Sequence, residues 1–203
     1  MKADMTVAQT LHAVRQKMTA ACVAAERDAA SVQLAAVSKT KPVELIEQAL
    51  AAEQRLFAEN RVQEAATKFP TLKIKYPDLR LHLIGPLQTN KVKAAFGLFD
   101  CIETLDRESL ALALAKEAQK QGRCPDLYIE VNAGAEPQKA GVLPADAPAF
   151  ITHCLHDLSL PVRGLMTIPP HGQNPAPYFK QLAQLAADHG LQQLSMGMSS
   201  DYE

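Results

Sequence analysis

Hydrophobic and polar residues along this chain follow two periods, and the switch between them recurs. From Met5 to about Arg27, Val7, Leu11, Val14, Met18 and Cys22 return at spacings of four, three, four and four. That is one stripe of an amphipathic helix. Thr6 and Gln9 stand at its start in the spacing of a capping box. Val32 to Ser38 is short and nearly all apolar, as a strand buried on both faces would be. Pro42 then stands where a proline opens a helix at its first position, and Glu44 and Glu47 put negative charge at that end.

The strand-then-helix unit repeats. Strands are predicted at Arg55–Ala58, Leu81–Ile84, Phe99–Glu103, Leu127–Val131, Val162–Met166 and Gln193–Met196. Between them, helices are predicted from about Arg61 to Phe69, Thr89 to Phe96, Arg107 to Lys120, Ala145 to His156 and Pro177 to His189. Strands alternating with helices make βαβ units and a parallel sheet. Two architectures fit. A doubly wound sheet usually carries a glycine-rich loop after its first strand, but that stretch is Ser38-Lys39-Thr40-Lys41-Pro42. A (β/α)8 TIM barrel carries its chemistry at the C-terminal ends of several strands. Here Lys39, Asn60, Gln88, Asn90, Asp106, Asn132, Thr167 and Ser199 occupy such ends. The barrel is therefore expected, as one domain over residues 1–203, preceded by an extra N-terminal helix. Seven strands do not close it, and the eighth is expected to be lacking after Glu203, beside the strand of Lys39.

Composition narrows the class. With 47% hydrophobic and 21% charged residues the chain is globular, not disordered or fibrous. Its 21 basic and 22 acidic side chains nearly cancel, which argues against a nucleic-acid-binding stripe or a polybasic membrane anchor. No apolar run reaches the length of a membrane span, and Met1-Lys2-Ala3-Asp4 opens no signal peptide. A soluble, cytoplasmic protein is expected. Cys22, Cys101, Cys124 and Cys154 form no ligand spacing and read as structural thiols.

Among the polar strand ends, Lys39 is the sharpest candidate. An amine projecting from an apolar strand into a barrel mouth is desolvated, and an uncharged amine attacks aldehydes. A solvated loop lysine is the plainer reading, and Lys41 competes for the role. Asn60 either positions a ligand or caps the next helix. His82, within a strand, either packs near a bound aromatic ring or is a hydrogen-bonded core residue. Lys139, in the loop after the fifth strand, reads as a surface lysine, with an anion contact or acceptance of a transferred aldehyde as the alternatives. Gly197-Met198-Ser199-Ser200-Asp201 offers hydroxyls and backbone N–H groups to an anion, or simply caps a helix. An amine and a phosphate cup in one mouth suggest a phosphorylated aldehyde, of which pyridoxal 5′-phosphate (PLP) is the obvious member.

Several segments carry a resemblance: Ala36-Val37-Ser38-Lys39-Thr40-Lys41-Pro42, Phe57-Ala58-Glu59-Asn60-Arg61-Val62-Gln63-Glu64, His82-Leu83-Ile84-Gly85-Pro86-Leu87-Gln88-Thr89-Asn90-Lys91, Arg163-Gly164-Leu165-Met166 and Gly197-Met198-Ser199-Ser200-Asp201. Together they resemble the pyridoxal phosphate homeostasis protein family, related to the N-terminal barrel of alanine racemase. The resemblance implies a fold-type III barrel with PLP held as a Schiff base on Lys39. It further implies cofactor-binding roles for Asn60, His82 and Met166, and phosphate contacts from Ser199 and Ser200. Glu136-x-x-Lys139-x-Gly141 looks like the family's loop after the fifth strand. Where the family usually has glycine and tyrosine, this chain has Ala58 and Arg61. The family's eighth strand, with an Arg-x-Gly-Thr-like segment, is not found here.

The resemblance implies a protein that buffers or delivers PLP, serving vitamin B6 and amino-acid balance without strong turnover. Its expected partners are PLP, related B6 vitamers and apo PLP enzymes, and a monomer is expected. The alternative is a PLP-dependent racemase-like enzyme. Racemisation needs acid/base groups on both faces of the substrate, and in alanine racemases one comes from a C-terminal β-domain not seen in this sequence. A Schiff-base aldolase would need a later-strand lysine with a carboxylate partner, which is not found either.

Overall fold

The computed structural model describes residues 5–198. Seven strands pair in parallel: β1 (Ala36–Val37), β2 (Leu56–Glu59), β3 (Arg80–Leu83), β4 (Cys101–Leu105), β5 (Asp126–Glu130), β6 (Val162–Met166) and β7 (Gln193–Ser195). Their order across the sheet is their order along the chain. A doubly wound sheet reverses direction at a switch point; this one never does, which settles the winding as that of a (β/α) barrel. The helices are α1 (Val7–Ala24), α2 (Val43–Ala51), α3 (Val62–Lys75), α4 (Val92–Phe96), α5 (Glu108–Gln121), α6 (Ala147–Thr152) and α7 (Ala176–Asp188). No described helix is long and apolar enough to cross a membrane.

Strand side chains alternate between the two faces of the sheet. Phe57, Leu81, Leu83, Ile102, Leu127, Ile129 and Leu165 turn to the helices and join Ile46, Leu50, Phe69, Leu110, Leu114 and Leu182 in the main core. Cys101, Tyr128 and Met166 form a second, smaller cluster on the opposite, concave face. That face is the lumen. Tyr128 Oη donates to Gln193 Oε1 at 2.6 Å, joining β5 to β7 past Gly164, which is in register with both. A Cβ on Gly164 would lie 2.1 Å from the Gln193 carbonyl oxygen, so no larger residue fits there.

Three local expectations are corrected. The first strand shrinks to Ala36–Val37, because Gln54 Nε2 donates to the carbonyls of Leu34 and Leu56, each at 2.6 Å. A side-chain amide thus bridges the backbones where ladder bonds would have extended β1. Nor is β1 buried on both faces, since Val37 is 47% exposed. Pro42 is the N-cap of α2, one position ahead of the expected first turn. Helix α3 runs on through Pro70 to Lys75, and the burial of Phe69 and Leu72 in the core offsets the hydrogen bond that the proline removes.

Other expectations hold. Gln9 N donates to Thr6 Oγ1 at 3.3 Å and Thr6 N to Gln9 Oε1 at 2.9 Å, completing the capping box. All four cysteines are free, and Cys22, Cys101 and Cys154 are buried. The helical stretch expected to reach His156 also forms, as α6 to Thr152 and then a wider turn over His153–Asp157.

Candidate functional site

The strand ends converge on one rim. Lys39 lies two residues past β1, Asn60 directly follows β2, Asp106 follows β4, Asn132 lies two past β5 and Thr167 follows β6. Lys39 is exposed, and no hydrogen bond or ion pair engages its ammonium among the described residues. Among the described residues Lys39 is thus not set in the low-dielectric wall expected around it: β1 ends early, and Val37, its last residue, is itself half open.

The backbone on either side of Lys39 is clamped instead. Ser38 N donates to the Ala58 carbonyl at 2.9 Å, and Ser38 Oγ donates to Glu59 Oε1 at 2.8 Å. Lys68, on α3, donates to the Ser38 carbonyl at 3.0 Å, to Glu59 Oε1 at 3.1 Å and to Glu64 Oε1 at 2.5 Å. Glu64 Oε1 also accepts from Thr40 N at 2.6 Å, and Thr40 takes the left-handed φ of 62°. Two carboxylates and one ammonium thus fix residues 38 and 40 without engaging the Lys39 side chain. The hydrogen bond from Lys68, then that from Thr40, holds the Glu64 carboxyl below its ordinary range. Burial pulls the Lys68 ammonium down, but hydrogen bonds to Glu64 and Glu59 outweigh it, and its pKa is raised.

The lumen floor is both apolar and charged. His82 and Glu103 are buried, and their Nδ1 and Oε1 atoms lie 2.6 Å apart. Tyr128 meets the His82 ring edge-on, with centroids 6.4 Å apart. Met166, 4% exposed, closes the apolar cluster with Cys101 and Tyr128. Glu130, beside Met166 in the sheet register, is 8% exposed; burial, then the Asp106 charge, pushes its carboxyl up to about 7.

Lys39 and Asn60 thus stand at strand ends on the rim, and His82 and Met166 lie on the lumen face, each against Tyr128, whereas Ser199 and Ser200 lie outside the described residues. Asn60 is not a helix cap, since Arg61 holds that position. Asn60 is instead wedged against Gly85, where an added Cβ would lie 2.2 Å from the Asn60 carbonyl oxygen. Ala58 is fully buried in register with His82, and Arg61 is exposed. Two rim residues are structural: Asn132 ties down its own loop through Glu136, and Thr167 Oγ1 donates to the Val131 carbonyl at 2.8 Å. Lys139 is not a loose surface lysine; it pairs with Glu136 at 2.5 Å and donates to the Pro169 carbonyl at 3.0 Å.

Sequence reasoning missed Glu59, Lys68, Glu103 and Gln193. A carboxylate inside an apolar strand is the signal that would have found Glu59 and Glu103, because a buried charge needs a partner.

A sequentially wound parallel sheet, with polar residues at its strand ends and an apolar lumen holding a few buried polar groups, defines a (β/α)-barrel type of fold. The alanine racemase N-terminal domain model matches residues 10–202. The chain belongs to this family, and within it to the pyridoxal phosphate homeostasis proteins. The member from Aquifex aeolicus is 39% identical, over 98% of this chain and 90% of its own. PipY of Synechococcus elongatus PCC7942, solved with PLP bound, superposes with a TM-score of 0.75 at 36% identity, covering 93% of this chain and 91% of its own. An alanine racemase of Clostridium difficile shares the fold, with a TM-score of 0.66 at 13% identity, over 84% of this chain and 47% of its own.

Proposed function

We propose that this chain binds PLP in its lumen, with Lys39 forming a reversible Schiff base to the cofactor, and that it buffers or delivers PLP. The carrying observation is the clamp: residues 38 and 40 are fixed by Glu59, Glu64 and Lys68 while the Lys39 amine remains unengaged at the mouth. The buried, unpartnered His82 Nε2 on the floor supports a polar ligand in the concavity. The PLP-bound PipY at 36% identity supports PLP as that ligand.

Bound PLP supplies an aldehyde, which an amine captures with release of water. The chain's residues do the rest. Lys39 provides the amine; Asn60, His82 and Met166 line the place of the ring; and Ser199 and Ser200 are assigned the phosphate. An exposed Lys39 suits exchange, because water or an incoming amine reaches the same linkage. Related B6 vitamers and apo PLP enzymes are the proposed partners, met in the cytoplasm by a monomer.

Two assays on the same preparation test this reading. PLP titration should produce a saturable imine absorbance, and the loaded protein should reactivate an apo PLP enzyme. Under the same conditions, no common amino acid should racemise above the rate of free PLP. Absence of the imine band would reject the binding site, and strong racemisation would replace a carrier with an enzyme.

A further inference from the structure

Glu103 is buried on the lumen floor and belongs to none of the roles described so far. Its side chain is 3% exposed and that of His82 is 9% exposed. Imidazole Nδ1 and carboxylate Oε1 stand 2.6 Å apart, so a proton lies between them. That contact assigns the tautomer in which Nδ1 carries hydrogen. His82 Nε2 then has no partner and is closed off from solvent.

A second contact holds the same ring. Tyr128 packs edge-on at an interplanar angle of 74°, and its hydroxyl is tied to Gln193 at 2.6 Å. The imidazole is therefore gripped at its Nδ1 edge from β4 and flanked by a ring from β5. Such a ring cannot turn without breaking a charge-assisted bond in a dry setting, where that bond is strongest.

We infer that Glu103 is a positioning residue, which fixes the orientation and tautomer of His82 toward an aromatic ligand seated in the lumen. The inference rests on the PLP reading for the identity of that ligand, though not for the tautomer. Cys101 completes a second grouping, since a ligand atom from each of His82, Cys101 and Glu103 lies within 4.8 Å of the others. At Nδ1 and Oε1 the distance is that of a shared proton. Two atoms sharing zinc at its usual bond lengths and tetrahedral angle stand about 3.3 Å apart, whereas Nδ1 and Oε1 are at hydrogen-bond distance. The Cys101 thiol, raised by burial and then by the Glu103 charge, stays protonated beside them.

The experiment compares wild type with Glu103→Gln, Glu103→Leu, His82→Asn and the double variant Glu103→Leu/His82→Asn. Folding of each is checked by circular dichroism. Ring-nitrogen NMR of the ligand-free protein, with His82 assigned through His82→Asn, should show hydrogen on Nδ1 in wild type and Glu103→Gln. In Glu103→Leu that preference should be lost. PLP affinity, read from absorbance, should fall about tenfold in Glu103→Leu and stay within about threefold in Glu103→Gln. The double variant should bind no more weakly than His82→Asn alone, because Glu103 acts through His82. An unchanged His82 tautomer in Glu103→Leu, or additive losses in the double variant, would overturn the inference. So would stoichiometric zinc in the purified protein that Cys101→Ser removes. A wild type that binds no PLP but shows the Nδ1 tautomer would reject the PLP reading while leaving the tautomer assignment standing.

Discussion

Lys68 Nζ lies 3.0 Å from the carbonyl oxygen of Ser38, so a helix residue thirty positions away holds the backbone just before Lys39. The same ammonium compensates Glu59, whose side chain is fully buried. Removing one partner of a buried pair typically costs about 3–5 kcal/mol, because the other charge is left alone. Lys68→Met should lose stability on that scale in urea unfolding, and Lys68→Met/Glu59→Gln should recover much of it. A Lys68→Met protein as stable as wild type would show that the clamp carries no energy.

The clamp also has a pH window. Glu64 has a lowered pKa in the folded state, so its contribution is full above its ordinary 4.5 and is lost as pH falls through the lower folded value. Lys68 has a raised pKa, so its contribution is full below its ordinary 10.5 and is lost as pH rises through the higher folded value. The clamp is thus complete between those two ordinary values. The Tm difference between wild type and Glu64→Gln should be positive at neutral pH and shrink toward zero in acid; a constant difference would contradict the pairing.

Glu130 runs the other way. Its carboxyl is raised from 4.5 to about 7, so the folded state keeps a proton that the unfolded chain has already released. Stability falls as pH rises through that interval, by about 3 kcal/mol at most. Glu130→Gln should therefore match wild type at pH 4 and be the more stable protein at pH 8, by several degrees in Tm. Equal Tm values at pH 8 would show that the carboxyl is not desolvated.

Gly85 packs directly against Asn60. The Cβ of Gly85→Ala would fall 2.2 Å from the Asn60 carbonyl oxygen, a backbone atom that cannot swing aside. The expected cost is about 1–3 kcal/mol of overpacking, with weaker PLP binding as Asn60 shifts. Gly97→Ala, whose nearest neighbour is 3.7 Å away, is the matched control and should leave PLP binding unchanged. Equal behaviour of the two variants would separate Asn60 from the site.

The βαβ alternation was legible because apolar runs and helical stripes carry their periods in plain sequence, and the barrel was favoured by polar strand ends and the lack of a glycine-rich loop; the strand order that excludes a reversing sheet appears only in the structure. The places of Lys39, Asn60, His82 and Met166 were legible for a different reason: they end or line predicted strands within recognisable motifs, and the strands form there. The clamp was not. It depends on Lys68 and Glu64 of α3 reaching the backbone of Ser38 and Thr40 and the buried Glu59, which are tertiary contacts that no local pattern announces. Lys68 falls within the predicted helix but reads as a solvated helix lysine until β2 brings the buried Glu59 to it. Glu103 reads as a strand residue until the register of β3 and β4 brings it to His82.

The attachment of PLP at Lys39 is tested most directly by chemical trapping. PLP is added to the protein, the imine is reduced with borohydride, and the modified peptide is mapped by mass spectrometry in wild type, Lys39→Ala and Lys41→Ala. One stoichiometric adduct on Lys39 is expected in wild type and Lys41→Ala, with none above background in Lys39→Ala. Undiminished labelling of Lys39→Ala, or an adduct that maps to Lys41 in wild type, would contradict it.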